Sequence, residues 1–198
     1  MRQSQGDGLV ASRTQIVCLC EGKKGESIDE VFINRLMKSL KPSWIRHDGS
    51  NVVRIVSSGG RKELVEKMPS ELQRCLDAGG QTTLMVWADC DDNCADGDAL
   101  KTHFWREAER QGIAREQFDR VVFVFAKDRL ENWIEFLQNG NTDESKEGLR
   151  VKHNRIVADA AKKLAEMCQA GHSVEHMPPS LQWSCNNWRA LVQTFKSP

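Results

Sequence analysis

Four short, largely apolar runs alternate with segments of helical spacing, and this alternation constrains the fold more than any other feature. The runs are 14–20, 52–56, 82–88 and 120–126, and the last has Val or Phe at five of its seven positions. Strands that are apolar along most of their length are typical of parallel sheets covered by helices on both faces. The repeated strand–helix order therefore predicts an α/β domain with a central parallel sheet of about four strands.

The segments between and after these runs carry helix signals. Ser27 is placed to cap the first helix, with Glu30 as its capping-box partner. Pro69 falls inside the second helix and predicts a kink or break there. Asp98 is predicted to cap the third helix. The predicted helices cover 28–40, 61–76, 99–111, 130–137 and 152–169.

Length and composition bound the remaining possibilities. The chain has 198 residues, and we divide it into a flexible arm (1–13), an α/β core (14–138) and a C-terminal helical extension packed on the core (139–198). Lys plus Arg and Asp plus Glu both number 28, so net charge provides no general attraction to nucleic acid. Seven cysteines and no long apolar run predict free thiols, a cytoplasmic location and no membrane segment.

Acidic side chains follow three of the four predicted strands. Glu21 follows the first strand, Asp89 and Asp91 the third, and Asp128 and Glu131 the fourth. In open parallel sheets, ligands bind beyond the carboxyl ends of the strands. Carboxylates close together raise one another's pKa unless a cation lies between them. Because oxygen-only donors favour Mg²⁺ or Mn²⁺ over Zn²⁺, we predict a site for one of those ions.

The third strand end carries more acidic residues than a metal site needs. Asp89 and Asp91 are two residues apart in extended chain and should point the same way, with Asp92 pointing away. Asp96 and Asp98 are better explained as a solvated helix cap, because negative charge is favoured at a helix N-terminus.

Three local sequences resemble the TOPRIM domain of OLD-family nucleases and related phage-defence proteins. They are CEG at 20–22, ADCDD at 88–92 and RLENWIEFL at 129–137, and the resemblance covers about 14–137. The loop EGKKGES is longer than the family's usual EG-x-x-[ST]-E, so either Glu26 or Asp29 could take the second acidic position. The chain has no tyrosine and no Walker A sequence, which excludes a tyrosine nucleophile and an ATPase portion within it.

The resemblance implies a TOPRIM-type, Mg²⁺- or Mn²⁺-dependent endonuclease that acts on DNA or RNA, with a role in antiviral defence and a separate ATPase subunit as a candidate partner. Glu21, Asp89 and Asp91 would hold the metal that activates the attacking water. Asp128 and Glu131 would help hold a second ion near the leaving oxygen.

Basic residues near these motifs are candidates for phosphate contacts. Lys127 is expected to stabilise negative charge that develops during hydrolysis, although an ion pair with a neighbouring carboxylate would also explain it. Lys23 and Lys24 lie in the glycine-flanked loop, where they contact phosphate or are simply solvated. Arg150 and Lys152 begin a basic patch that could contact the nucleic-acid backbone.

Two other functions are compatible with parts of the sequence. A non-catalytic TOPRIM-like module that binds a partner protein, such as an ATPase, would explain the lengthened EGKKGES loop. A phosphatase with a DxD nucleophile fits poorly, because its motif usually follows the first strand and here follows the third.

A cysteine and histidine cluster near the C-terminus has residue types that bind zinc. Its members are Cys168, His172, His176 and Cys185. Their spacing matches no common zinc finger. A core cysteine with exposed histidines is the competing interpretation.

Overall fold

The computed structural model describes residues 15–22, 25, 27–40, 53–79, 82–91, 96–148, 150–151, 153–170 and 176–194. Four parallel strands form one sheet in the order β2-β1-β3-β4. The strands are β1 (Gln15–Cys20), β2 (Val53–Ser57), β3 (Thr82–Cys90) and β4 (Val122–Lys127). The predicted α/β fold with a four-stranded parallel sheet is confirmed. The predicted N-terminal arm lies outside the described residues.

Seven helices are formed by the described residues, and they cover both faces of the sheet. They are α1 (Ile28–Leu40), α2 (Arg61–Asp77), α3 (Gly97–Arg110), α4 (Arg115–Phe118), α5 (Leu130–Asn139), α6 (Asn154–Ala170) and α7 (Pro179–Thr194). One face packs against α1, α5, α6 and part of α7. The other face packs against α2, α3 and α4. Among these helices, none combines the length and apolar character needed to cross a membrane.

The apolar residues of the strands divide between two cores, one on each face of the sheet. Along β1, Ile16 and Cys18 belong to the core under α1, whereas Val17 and Leu19 belong to the core under α2. Successive side chains of a strand point to opposite faces, and here both faces are covered. This double burial is why the strands are apolar at nearly every position rather than at alternate ones.

One alternative predicted for α2, a break, and the predicted cap of α3 are both wrong. α2 is one helix from end to end, so Pro69 does not break it. Its apolar face, which includes Met68 and Leu72, stays buried against the sheet, and packing of that kind outweighs one lost backbone hydrogen bond. The cap of α3 is Asp96 rather than Asp98, because the helix begins two residues earlier than predicted and Asp96 accepts from the Ala99 N–H at 2.8 Å.

β4 is an edge strand of the sheet, and α7 packs against it. The Ser184 hydroxyl accepts from the Phe125 N–H at 2.9 Å and donates to the Phe125 carbonyl at 3.0 Å. The Trp183 ring stacks on the Phe125 ring with centroids 5.1 Å apart. A Cβ at Gly97 would lie 2.6 Å from the Trp183 ring, so only glycine allows this approach. One serine thus replaces the missing neighbouring strand at this edge.

We expect Ser184→Ala to lower the free energy of unfolding by about 1–3 kcal/mol, because it leaves a buried N–H and a buried carbonyl without a partner. Urea denaturation would measure this change. Gln182→Ala, an exposed position on the same helix, is the matched control and should change stability by no more than about 0.5 kcal/mol. Equal effects of the two substitutions would contradict the role assigned to Ser184.

Candidate metal and nucleic-acid site

The acidic residues gather where the strand order of the sheet reverses. From β1 the chain crosses to β2 on one side and then returns to β3 on the other side of β1. Such a reversal opens a crevice at the carboxyl ends of the two central strands. Glu21 follows β1 directly, and Asp89 lies near the end of β3. β3 is two residues longer than predicted, so Asp89 is held inside the strand, in register with Ala126.

Paired glycines join the loops that follow β1 and β2. The Gly22 N–H donates to the Gly59 carbonyl at 2.8 Å, and the Gly59 N–H donates back at 3.3 Å. Their φ angles are 89° and 96°, a left-handed conformation that favours glycine. The Ser58 N–H and hydroxyl both donate to the Cys20 carbonyl, at 3.0 and 2.9 Å. These bonds hold Glu21 beside the first turn of α2.

Asp89 is the most perturbed acid of this edge. Its Oδ1 atom is buried and has no hydrogen-bond partner among the described residues. Burial is the largest cause of a rise in the pKa of Asp89 to about 8, and the nearby charges of Asp29, Glu21, Asp91 and Glu131 contribute to the same rise in that order. Without a cation, the Asp89 carboxyl therefore retains its proton near neutral pH.

Asp29, one of the two alternatives that the sequence left open, faces this crevice from the first turn of α1. Its Oδ1 accepts from the indole N–H of Trp87 at 3.2 Å, and its Oδ2 accepts from the Ser27 hydroxyl. Ser27 also caps α1 by accepting from the Asp29 N–H at 3.1 Å. The other alternative, Glu26, lies outside the described residues.

Arg61 is the site residue that sequence reasoning missed. This first residue of α2 is ion-paired with Glu21, lies 3.5 Å from the Asp91 carboxylate and donates to the backbone carbonyl of Asp89. Burial raises the pKa of Glu21, and the bond and charge of Arg61 partly offset that rise. Residues that follow the carboxyl end of a strand are candidates for ligand binding in a parallel sheet. Arg61 is such a residue for β2, because only Ser58, Gly59 and Gly60 lie between the end of β2 and Arg61.

The fourth strand end brings Glu131 to the same edge. Glu131 lies in the first turn of α5, and burial raises its pKa, as does the charge of Asp29. The Asp128 N–H donates to the Cys90 carbonyl at 3.0 Å and so joins the ends of β4 and β3. Asp128 has a positive φ of 57°, an uncommon conformation for a residue other than glycine. Lys127 is the last residue of β4, in register with Cys90.

The segment after α5 returns to this edge and carries Arg150 with it. The Asn132 side-chain amide donates to the carbonyls of Lys127 and Lys146, at 3.3 and 3.2 Å. Gly148 packs so closely on α5 that a Cβ there would lie 2.6 Å from the Asn132 Oδ1. The positive charge of the exposed Arg150 lowers the pKa of Glu131, which places this arginine near the acidic cluster. The other predicted phosphate contacts, Lys23, Lys24 and Lys152, lie outside the described residues.

The donor set fits a hard divalent cation better than a soft one. All the candidate ligands are carboxylate oxygens, and the unpartnered Asp89 Oδ1 is the kind of buried acceptor that a cation satisfies. Within the described ranges, however, no three His, Cys, Asp or Glu side chains converge closely enough to form a ready-made metal site. The predicted Mg²⁺ or Mn²⁺ site therefore stays a prediction.

The predicted zinc cluster is described only in part. The Cys168 and Cys185 thiols share a hydrogen bond, which lowers the pKa of Cys168 and raises that of Cys185. His176 is exposed and has a positive φ of 65°. His172 lies outside the described residues, so zinc binding by these four residues stays a prediction.

Comparison with known proteins adds no family assignment. No protein-family model matches the chain, and no curated protein matches it. The expected resemblance to TOPRIM domains therefore rests on the three local sequences alone.

The raised pKa of Asp89 predicts how stability depends on pH. In a chelator, we expect the free energy of unfolding to fall as pH rises from about 4 to about 8. Over this window the folded state keeps the Asp89 proton, whereas the unfolded state has lost it. Each unit by which folding raises the pKa contributes about 1.4 kcal/mol to this fall.

Urea denaturation of the native chain and of Asp89→Asn across this pH range tests the assignment. The variant should lose most of the pH dependence and become the more stable protein at about pH 8.5. Asp159→Asn, an exposed position on α6, is the control and should follow the native chain. Parallel curves for native chain and Asp89→Asn would show that Asp89 is not the titrating group.

Proposed function

We propose that the chain is a divalent-metal-dependent nuclease that hydrolyses phosphodiester bonds of nucleic acid. The observation that carries this proposal is the buried, unpartnered Oδ1 of Asp89 among four other acidic side chains at the point where the strand order reverses. Buried polar atoms without a partner are rare because they cost stability. A divalent cation would satisfy this atom and neutralise the neighbouring carboxylates.

Each acidic residue has a role in this proposal. Glu21, Asp89 and Asp91 would hold the metal, with Asp29 beside them, and Asp128 and Glu131 would contribute to a second site. A bound Mg²⁺ or Mn²⁺ would supply an activated water and would neutralise the substrate phosphate. The indole of Trp87 fixes the orientation of the Asp29 carboxylate. Lys127, at the same edge, would stabilise negative charge on the phosphate oxygens as it develops.

The basic residues around the edge support a nucleic-acid substrate. Arg150 lies near Glu131, and its exposed guanidinium is suited to a backbone phosphate. Lys23, Lys24 and Lys152 are proposed to extend this contact on the basis of sequence alone. A cytoplasmic location, a role in antiviral defence and a separate ATPase partner are also proposals, and the last two rest on the TOPRIM resemblance.

A second candidate function is an interaction module without catalytic activity. The observation that favours it is the ion pairing of Arg61 with Glu21 and Asp91, because the acidic edge is thereby partly neutralised by the chain itself. In this interpretation the same edge or the C-terminal extension would bind a partner protein such as an ATPase. Metal binding at the acidic edge distinguishes the two functions.

Calorimetric titration with Mg²⁺ and Mn²⁺ tests the proposed function. We expect the native chain to bind both ions and the double variant Asp89→Asn/Asp91→Asn to bind neither, because the variant lacks two of the three ligands. The native chain with Mn²⁺ should also cleave single- or double-stranded DNA or RNA, and the double variant should not.

Asp159→Asn serves as the control for both measurements, because it removes one exposed carboxylate from α6. It should retain native metal binding and cleavage. Undiminished metal binding by the double variant would contradict the ligand assignment. Absence of binding by the native chain would favour the interaction module.

A further inference from the structure

We propose that Arg61 occupies the acidic edge as an internal cation, that a divalent metal displaces it, and that the displaced guanidinium then binds the substrate phosphate. This inference rests on the proposed function. It adds that Arg61 first pairs with the carboxylates of the acidic edge and then binds the substrate phosphate. Neither the strand-end carboxylates nor the TOPRIM resemblance assigned any role to Arg61.

The contacts of Arg61 place it in direct competition with a metal. Its guanidinium pairs with Glu21 and lies 3.5 Å from the Asp91 carboxylate, and these are two of the three proposed ligands. A metal ion cannot coordinate the carboxylate oxygens that are paired with Arg61 unless the guanidinium moves away from them. The side chain of Arg61 is 22% exposed, so it lies at the rim of the crevice with a path towards solvent.

Displacement is electrostatically reasonable because the site holds more negative than positive charge. The carboxylates of Asp29, Glu21, Asp91 and Glu131 all act on Asp89, whereas Arg61 brings a single positive charge. A divalent ion brings twice the charge in a smaller volume and suits carboxylate oxygens. It would therefore replace the guanidinium at the carboxylates while the guanidinium remains within reach of the edge.

A displaced guanidinium would be well placed for phosphate. Arg61 is the first residue of the 17-residue helix α2, where the helix dipole also favours negative charge. A planar guanidinium forms paired hydrogen bonds with phosphate oxygens, and this geometry is why arginine is common in phosphate recognition. Arg61 and Arg150 would then approach the substrate backbone from α2 and from the segment after α5.

The test compares Mn²⁺ binding and nucleic-acid binding in Arg61→Gln. Calorimetry with Mn²⁺ alone should show about fivefold tighter binding than in the native chain, since charge-assisted contacts at a partly exposed site are weak to moderate. A fluorescein-labelled DNA oligonucleotide and the RNA of the same sequence, titrated in Ca²⁺, should bind about tenfold more weakly. A purely structural role for Arg61 would weaken both kinds of binding rather than move them in opposite directions.

Lys62→Gln is the matched control, because it removes the same charge from the next residue of α2. The Lys62 side chain is 82% exposed, and its Nζ atom lies 3.9 Å from the carboxylate of Glu66 on the same helix. It should leave Mn²⁺ affinity unchanged. Arg61→Lys keeps the charge but has a single nitrogen in place of the guanidinium, so its Mn²⁺ affinity should lie between those of the native chain and Arg61→Gln.

The results separate the proposed displacement of Arg61 from the proposed nuclease function. Tighter Mn²⁺ binding with weaker oligonucleotide binding supports the proposal. Native Mn²⁺ affinity in Arg61→Gln overturns it and leaves the proposed function standing. Absence of Mn²⁺ binding in both proteins overturns the proposed function and this inference with it. If Arg61→Gln does not fold, Arg61→Lys decides, and a native Mn²⁺ affinity in that variant overturns the proposal.

Discussion

The Asp89 carboxyl group lies inside the last part of β3, with one oxygen buried and without a hydrogen-bond donor among the described residues. Four further carboxylates act on it electrostatically. Such a group has two stable conditions: it keeps a proton, or it binds a cation. The surrounding loops bring further carboxylates and one positive charge, that of Arg61, to the same edge.

Three elements meet this constraint in different ways. The paired glycines Gly22 and Gly59 bring the ends of β1 and β2 together, which sets Glu21 beside Arg61. The first turn of α1 presents Asp29, held in place by the Trp87 indole. Arg61 reduces the repulsion without abolishing it, since the pKa of Glu21 is still raised. Metal binding would therefore be coupled to loss of the Asp89 proton and to movement of a single arginine.

The sheet and most of the acidic edge could be predicted from sequence because both depend on local patterns. Continuous apolar runs identify buried parallel strands, and the ends of those strands must share an edge. That rule found Glu21, Asp89 and Asp91. It missed Arg61 because the prediction considered only acidic residues at the strand ends, and the residue that reaches this edge after the second strand is basic.

Other errors came from interactions between residues far apart in sequence. Nothing near Pro69 in the sequence indicates that the buried face of α2 would keep the helix continuous. The packing of α7 over β4 includes Ser184 meeting Phe125, which is 59 residues away. The side chain of Trp87 is buried, and its hydrogen bond to Asp29 joins two segments that are 58 residues apart.

The most direct test of a cation at this edge is the effect of Mn²⁺ on the indole N–H resonances of the ¹⁵N-labelled chain. Paramagnetic Mn²⁺ broadens the signals of nearby nuclei. A metal at the acidic edge should broaden the signal of the Trp87 indole early and selectively, because its N–H donates to Asp29. Trp105, which packs against Phe118 on the other face of the sheet, should keep its signal. Equal broadening of the two indoles, or no broadening of Trp87, would contradict a metal site at the acidic edge.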